Sequence, residues 1–204
     1  MSRGLFRVAL LAVLAVALFL GWRAWQDWQR GYEPETVVAA SLQGLQEQNV
    51  LVPFTARYVA VVTSTQSRLG LEAKKTLIMP GTVRYELDLA KLKPSDLDWD
   101  AATNALTVTL PPLRLAGPEI DIDAISEFQG GMILLTLTDA EKTLDAANRK
   151  AAQEELIKQA KGATPMRLAQ TAARNAIEQS FAMPLRAAGI DAKVAARFAS
   201  EPAR

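Results

Sequence analysis

The chain has no cysteine and no histidine among its 204 residues. Ser-His-Asp triads, Cys-His dyads and the usual zinc ligand sets each need an imidazole or a thiolate, so all are excluded. The same absence leaves no disulfide, no thiol for lipid attachment and no redox mark of the compartment. The eleven glycines form neither the G-x-x-x-x-G-K-S/T loop nor the G-x-G-x-x-G turn, which removes those phosphate cradles. A Ser-x-x-Lys pair is missing as well. A surplus of one charge is lacking too: the formal net charge is +1, and after Arg30 there are 19 basic and 21 acidic residues. That balance gives no reason to expect a nucleic acid partner. The charge is unevenly placed, with acids exceeding bases 13 to 8 from Gly31 to Leu137 and bases exceeding acids 11 to 8 from Thr138 onward. The two halves therefore attract each other or a polar partner.

What is present begins with an uncharged run from Val8 to Leu20, preceded by Leu5-Phe6-Arg7 and followed by Gly21-Trp22. A helix rising about 1.5 Å per residue needs roughly 20 residues to cross the hydrocarbon core. The flanking Leu5, Phe6, Trp22, Ala24 and Trp25 supply the missing length, because Arg7 and Arg23 can extend towards headgroups. Trp22, Trp25 and Trp28 follow the run directly, where indoles favour the interface between hydrocarbon and water. Residues 1–28 are therefore expected to be a single transmembrane signal anchor with Arg3, Arg7, Trp22, Arg23, Trp25 and Trp28 at its two interfaces. Ala15-Val16-Ala17 has the small-x-small form of a cleavage site, so a cleaved signal peptide is the competing reading. Arg3, Arg7 and the terminal amine against Arg23 and Arg30, offset by Asp27 and Glu33, put the N-terminus inside by a small margin. The expected location is the bacterial inner membrane, with the remainder on the periplasmic side.

Residues 29–50 read as a helical connector, with Pro34 set for a first turn and Glu35 near the positive end of the dipole. From residue 51 to 204 a soluble α+β domain is expected: an antiparallel sheet to about Leu137, then two Ala-rich amphipathic helices over residues 138–184. Tyr58 to Thr63 is apolar on both faces, as a buried central strand is. Ser64 to Gly70 reads as a turn. Lys75 to Leu89 alternates, with Val83, Tyr85, Leu87 and Leu89 on the core side. Pro80-Gly81 predicts a bulge or break there. Asp96 to Asp100 and Leu106 to Leu110 alternate about a loop at 101–104, a hairpin. Ile120 to Asp123 reads as a short edge piece and Met132 to Leu137 as a buried strand. Thr138-Asp139-Ala140-Glu141 has capping-box spacing. A first helix runs to about Lys161, a second starts at Pro165 and is closed by Pro184 and Gly189, and Lys193 to Phe198 is a last strand.

Carboxylates are the remaining chemical vocabulary. Asp96, Asp98 and Asp100 share the spacing that opens an EF-hand loop, but Ala101 and Thr107 stand where glycine and glutamate belong, so a solvated hairpin arm is the reading. Glu86, Asp88, Glu119, Asp121 and Glu127 contain enough acids for a glycosidase-type pair, and no spacing selects one. No catalytic residue, cofactor or metal ligand is assigned. Met166, Ala169, Ala173, Ile177 and Phe181 share one face of the second helix, which either covers the domain's own sheet or binds a partner.

The residues Leu77 to Leu89, with Pro80, Gly81, Tyr85, Asp88 and Leu89, followed by Leu106-Thr107-Val108-Thr109-Leu110-Pro111, resemble the bacterial domain-of-unknown-function family 4230. The resemblance spans roughly Val50 to Ile190. It implies a membrane-anchored α+β domain and brings no catalytic residues with it; capping or turn formation explains Asp88 as well as a function would.

The tether and the missing catalytic groups together predict a non-enzymatic envelope protein. It is expected to bind or scaffold a protein or lipid partner near the membrane, another envelope protein or its own copy. The alternative is a carboxylate-dependent hydrolase acting on an envelope polymer.

Overall fold

The computed structural model describes residues 16–23, 33–68, 71–130 and 140–199. Residues 16–23 are helical. Helix α1 (Pro34–Glu47) has Pro34 in its first turn, where an N–H would lack a partner anyway. Val38, Leu42 and Leu45 recur every three to four residues and bury one face in the main core. The expected connector is thus part of the domain. Asn49, at φ 60°, ends the helix in the left-handed region that asparagine tolerates. Its carbonyl accepts the Leu89 N–H at 2.8 Å, which ties the helix end to the chain leaving the second strand.

Strands β1 (Val50–Arg68) and β2 (Leu71–Asp88) form a long antiparallel hairpin. After it come β3 (Leu97–Asp100), β4 (Ala105–Leu110), β5 (Arg114–Ile120), β6 (Ser126–Gly130), α2 (Ala140–Ala160), α3 (Ala163–Ala187) and β7 (Lys193–Phe198). The first sheet has the order β1-β2-β5, with β6 also on β2. The second has the order β3-β4-β7, and β7 runs parallel to β4. The single antiparallel sheet expected from the sequence is therefore corrected to two, one of them mixed.

Three further expectations change. The turn at Ser64 to Gly70 starts later, since β1 continues to Arg68. Tyr58 to Thr63 lies on an edge strand among the described residues, not a central one: α2 covers one face while Val59 and Val61 stay 48% and 60% exposed on the other. Finally, β2 passes unbroken through Pro80-Gly81, with Val59 opposite Pro80 and Tyr58 opposite Gly81. Proline is tolerated because β5 pairs with β2 down to Gly81 and β6 takes over at Ile78. Pro80 sits in the gap between them, where no ladder bond needs its missing N–H, and its carbonyl accepts the Asp121 N–H at 3.1 Å. The short 3₁₀ turn Ile122–Ala124, expected as an edge strand, spans that gap.

The hairpin of β3 and β4 is as expected, and Asp100 fixes its loop. The carboxylate accepts the Thr103 hydroxyl at 2.6 Å and the Ala102 N–H at 2.9 Å, and these bonds hold its pKa below the usual carboxylate range.

Helix α2 presents Leu144, Asn148, Ala152, Leu156 and Ala160 at four-residue spacing as a buried stripe. Leu156 and Ala152 meet Ala60, Leu77 and Met79 of the hairpin. Helix α3 closes the other end, where Ala173, Ile177, Phe181 and Leu185 join β2, β4, β7 and α1 in the largest core cluster. Pro184 does not stop α3 but lies inside its last turn. The stop is Gly189 at φ 79°, with the Ile190 N–H returning to the Leu185 carbonyl at 2.9 Å. The strand predicted at Met132 to Leu137 and the Thr138 cap lie outside the described residues. Glu141, the other half of the expected capping box, accepts from Gln129 Nε2 at 3.2 Å.

Candidate functional site

Three places concentrate polar groups or unfilled space. On the outer face of the first sheet, cross-strand neighbours form a ladder of ion pairs. Arg57 on β1 meets Asp121 at 2.5 Å, Arg114 on β5 meets Glu86 at 2.9 Å, and Arg84 lies between Glu86 and Glu119. Glu119 raises the Arg84 pKa above its ordinary value by a hydrogen bond and by its charge. Asp88 is held by Lys91 at 3.0 Å. The acids that a hydrolase would use as an unequal pair are therefore matched with basic partners along this face. Glu127 points to the opposite side of the sheet.

That opposite side holds the second place. Lys75 is 2% exposed yet charged, and it contacts Asp145 on α2 and Glu127 on β6, the latter at 2.8 Å, with Glu141 at 4.0 Å. Burial pulls the ammonium pKa down, and the bonds and charges of Asp145 and Glu127 more than offset it, so the pKa ends above the ordinary lysine value. Asn148, equally buried, donates Nδ2–H to the Lys75 carbonyl at 2.9 Å, while its Oδ1 has no partner among the described residues. Sequence reasoning missed this group. Its signal was positional: Lys75 falls on the same strand parity as Ala73, Leu77, Met79, Val83 and Tyr85, all buried.

The third place is an open groove of about 540 Å³ between α1 and α3, lined by small residues such as Ser41, Gly44, Ala176 and Ser180 and by exposed Met183.

The residues singled out in the sequence are distributed as follows. Trp22 and Arg23 lie on the exposed 16–23 helix, while Arg3, Arg7, Trp25 and Trp28 are outside the described residues. Pro80, Gly81, Tyr85 and Leu89 are buried structural positions. The Tyr85 hydroxyl donates to the Ala160 carbonyl at 2.8 Å and so accepts from Tyr58 at 2.6 Å; burial first, then Tyr58, pushes its pKa up. Asp88 precedes a 3₁₀ turn. Ala169, Ala173, Ile177 and Phe181 are fully buried and Met166 packs beside them, so this face of α3 covers the domain's own core and is not free for a partner. Asp98 and Asp100 share the exposed face of β3, whereas Asp96 lies before the strand in a 3₁₀ turn and accepts the Lys93 N–H, and the Asp100 carboxylate bonds back into its loop. Among the described residues no group of three or more acids is placed to hold a metal ion.

The fold and its paired charges define a class: an α+β domain in which a long hairpin sheet is backed by two consecutive helices, with a small mixed sheet at its base. Within that class the chain belongs to the protein-of-unknown-function family DUF4230, whose family model matches residues 43–195, three quarters of the sequence. No curated protein and no solved structure matches the chain significantly.

Proposed function

We propose that this protein is a single-pass, membrane-tethered binding or scaffolding domain of the bacterial envelope, acting on a protein or lipid partner at short range from the bilayer and not as an enzyme. The observation that carries the reading is the helix at 16–23. Val16, Leu18, Phe19, Leu20 and Trp22 are each more than half exposed, and from Val16 to Trp22 the segment is apolar all round. A helix apolar on every side is solvated by lipid or buried in protein, and here no described part of the domain buries it. Among the described residues no helix is by itself long and apolar enough to cross a membrane. The span requires the run that starts at Val8.

The ion pairs weigh against the hydrolase alternative, because Glu86, Glu119 and Asp121 are engaged by arginines and Asp88 and Glu127 by lysines. Fractionation of cells producing the full chain, with protease added to spheroplasts and to lysates, tests the proposal. The expected outcome is a membrane-bound chain whose C-terminal domain is cut from outside and a reproducible crosslinked partner. A chain that partitions with the cytosol sinks the tether, and loss of an envelope-polymer cleavage activity on replacing Glu86 or Glu119 would revive the hydrolase.

A further inference from the structure

We propose that the open edge of β1 is a self-association surface, at which a second copy of the chain adds its own β1 antiparallel with Val59 and Val61 of both copies around the two-fold axis. Pro80 sets the direction in which the backbone groups of β1 point. Its carbonyl bonds Asp121 on the side away from β1, so the Val59–Pro80 pair is not hydrogen-bonded and the N–H and C=O of Val59 point off the sheet. The register is continuous from Phe54 to Arg68, so Thr55, Arg57, Val61, Thr63, Thr65 and Ser67 direct their backbone groups the same way. Among the described residues β1 pairs only with β2.

Edge strands in stable monomers are blunted by lysine, proline, a bulge or a short length. From Tyr58 to Ser67 this edge has none of these: ten residues without a charge, rich in valine and threonine, in unbroken register. Among the described residues the side chain seen to bond this edge is Gln159, which donates to the Val59 carbonyl at 3.3 Å, a long bond that a strand N–H would replace.

A second copy fits this edge better than an unrelated peptide. Two-fold pairing uses up both open edges, whereas an added peptide leaves its own exposed. With the axis at Val59, Ala60 or Val61, the exposed valines of the two copies meet. Arg57, engaged by Asp121 at 2.5 Å, then falls opposite uncharged Val61, Thr63 or Thr65 and not opposite its own copy. The inference deepens the binding reading by naming the partner, and it rests on the tether only in that a shared membrane raises the local concentration of copies.

Because the chain lacks cysteine, each single substitution supplies its only thiol. Full-length Thr55→Cys, Val59→Cys, Val61→Cys and Ser67→Cys, with Met183→Cys as an exposed reference, are treated with a mild oxidant and with a short bis-maleimide. The treatment is carried out in native membranes and again after detergent extraction. Directly opposed residues place their Cα atoms about 5.5 Å apart, within reach of a disulfide. Dimer yield is expected to peak at Val59 or Val61, on the order of tenfold above the reference, and to fall towards Thr55 and Ser67. A flat profile, a maximum at either end, or no dimer at any position overturns the proposal. A soluble chain that still crosslinks at Val61 removes the tether and leaves the edge standing; a membrane-bound chain that does not crosslink removes the edge alone.

Discussion

Lys75 shows what a single buried charge commits the chain to. Removing it as Lys75→Ala leaves Glu127 and Asp145 facing each other without a cation, and breaking a buried pair in this way costs on the order of 3–5 kcal/mol. Chemical denaturation should show that loss, and adding Glu127→Gln with Asp145→Asn should recover a large part of it, because the uncompensated charge is then gone. A stability unchanged by Lys75→Ala would mean the cluster is solvated. The pH dependence follows from the direction of the shift. The folded chain holds the ammonium proton more tightly than the unfolded one, so the contribution is complete below the ordinary lysine pKa and disappears as pH rises through the higher folded value. Thermal midpoints of the parent should therefore fall more steeply than those of Lys75→Met above about pH 10. Gly81 makes a steric demand of a different kind. A Cβ there would lie 2.8 Å from Leu156 Cδ1, the movable end of a side chain. Gly81→Ala should be mild and Gly81→Val should cost about 1–3 kcal/mol. Leu156→Ala should relieve part of that cost in a double-mutant cycle, and strict additivity would show that the two sites do not touch.

At the scale of elements, α3 separates two meanings of an apolar helix face. The stripe through Ala169, Ala173, Ile177 and Phe181 reads as core first and as docking surface second, because periodicity reports only that something apolar lies opposite. The structure shows the domain's own sheets and α1 there. Phe181→Ala should accordingly destabilise by about 3–5 kcal/mol, whereas Met183→Ala, 71% exposed on the groove side, should stay within about 0.5 kcal/mol. Equal effects by thermal melting would contradict the packing. The helices, the hairpin of β3 and β4, and the alternation of β2 were legible because each follows from local period and turn chemistry. The edge position of β1, the parallel β7 and the pairing of β5 and β6 end to end on β2 were not, since strand order depends on which distant segments meet. Pro80 illustrates the limit: its local rule predicts a break, and only the gap between β5 and β6 explains why none occurs. Lys75 was missed for a related reason. A lysine on the core parity of a strand looks like a solvated end until Glu127 and Asp145 arrive from elements fifty or more residues away in sequence.

At the scale of the whole molecule, the proposed tether and the domain are expected to be energetically separate. The exposed 16–23 helix makes no described contact with the core, and the first core residue of the domain is Val38, inside a helix that begins at Pro34. Deleting residues 1–32 should therefore move the chain from the membrane to the soluble fraction while leaving its thermal midpoint unchanged. Deleting through Glu47 should instead strip Val38, Leu42 and Leu45 from the main core, and three buried aliphatic side chains at about 1.5–3 kcal/mol each are comparable with the whole stability of a small domain. The two truncations thus place the domain boundary by experiment: fractionation reads the tether, and the melting curve reads the core. A soluble, cooperatively melting product from the longer deletion would show that α1 is a connector after all. A drop of several degrees from the shorter one would show that the N-terminal segment packs on the domain, in which case its apolar surface is covered by protein and the case for lipid contact is lost.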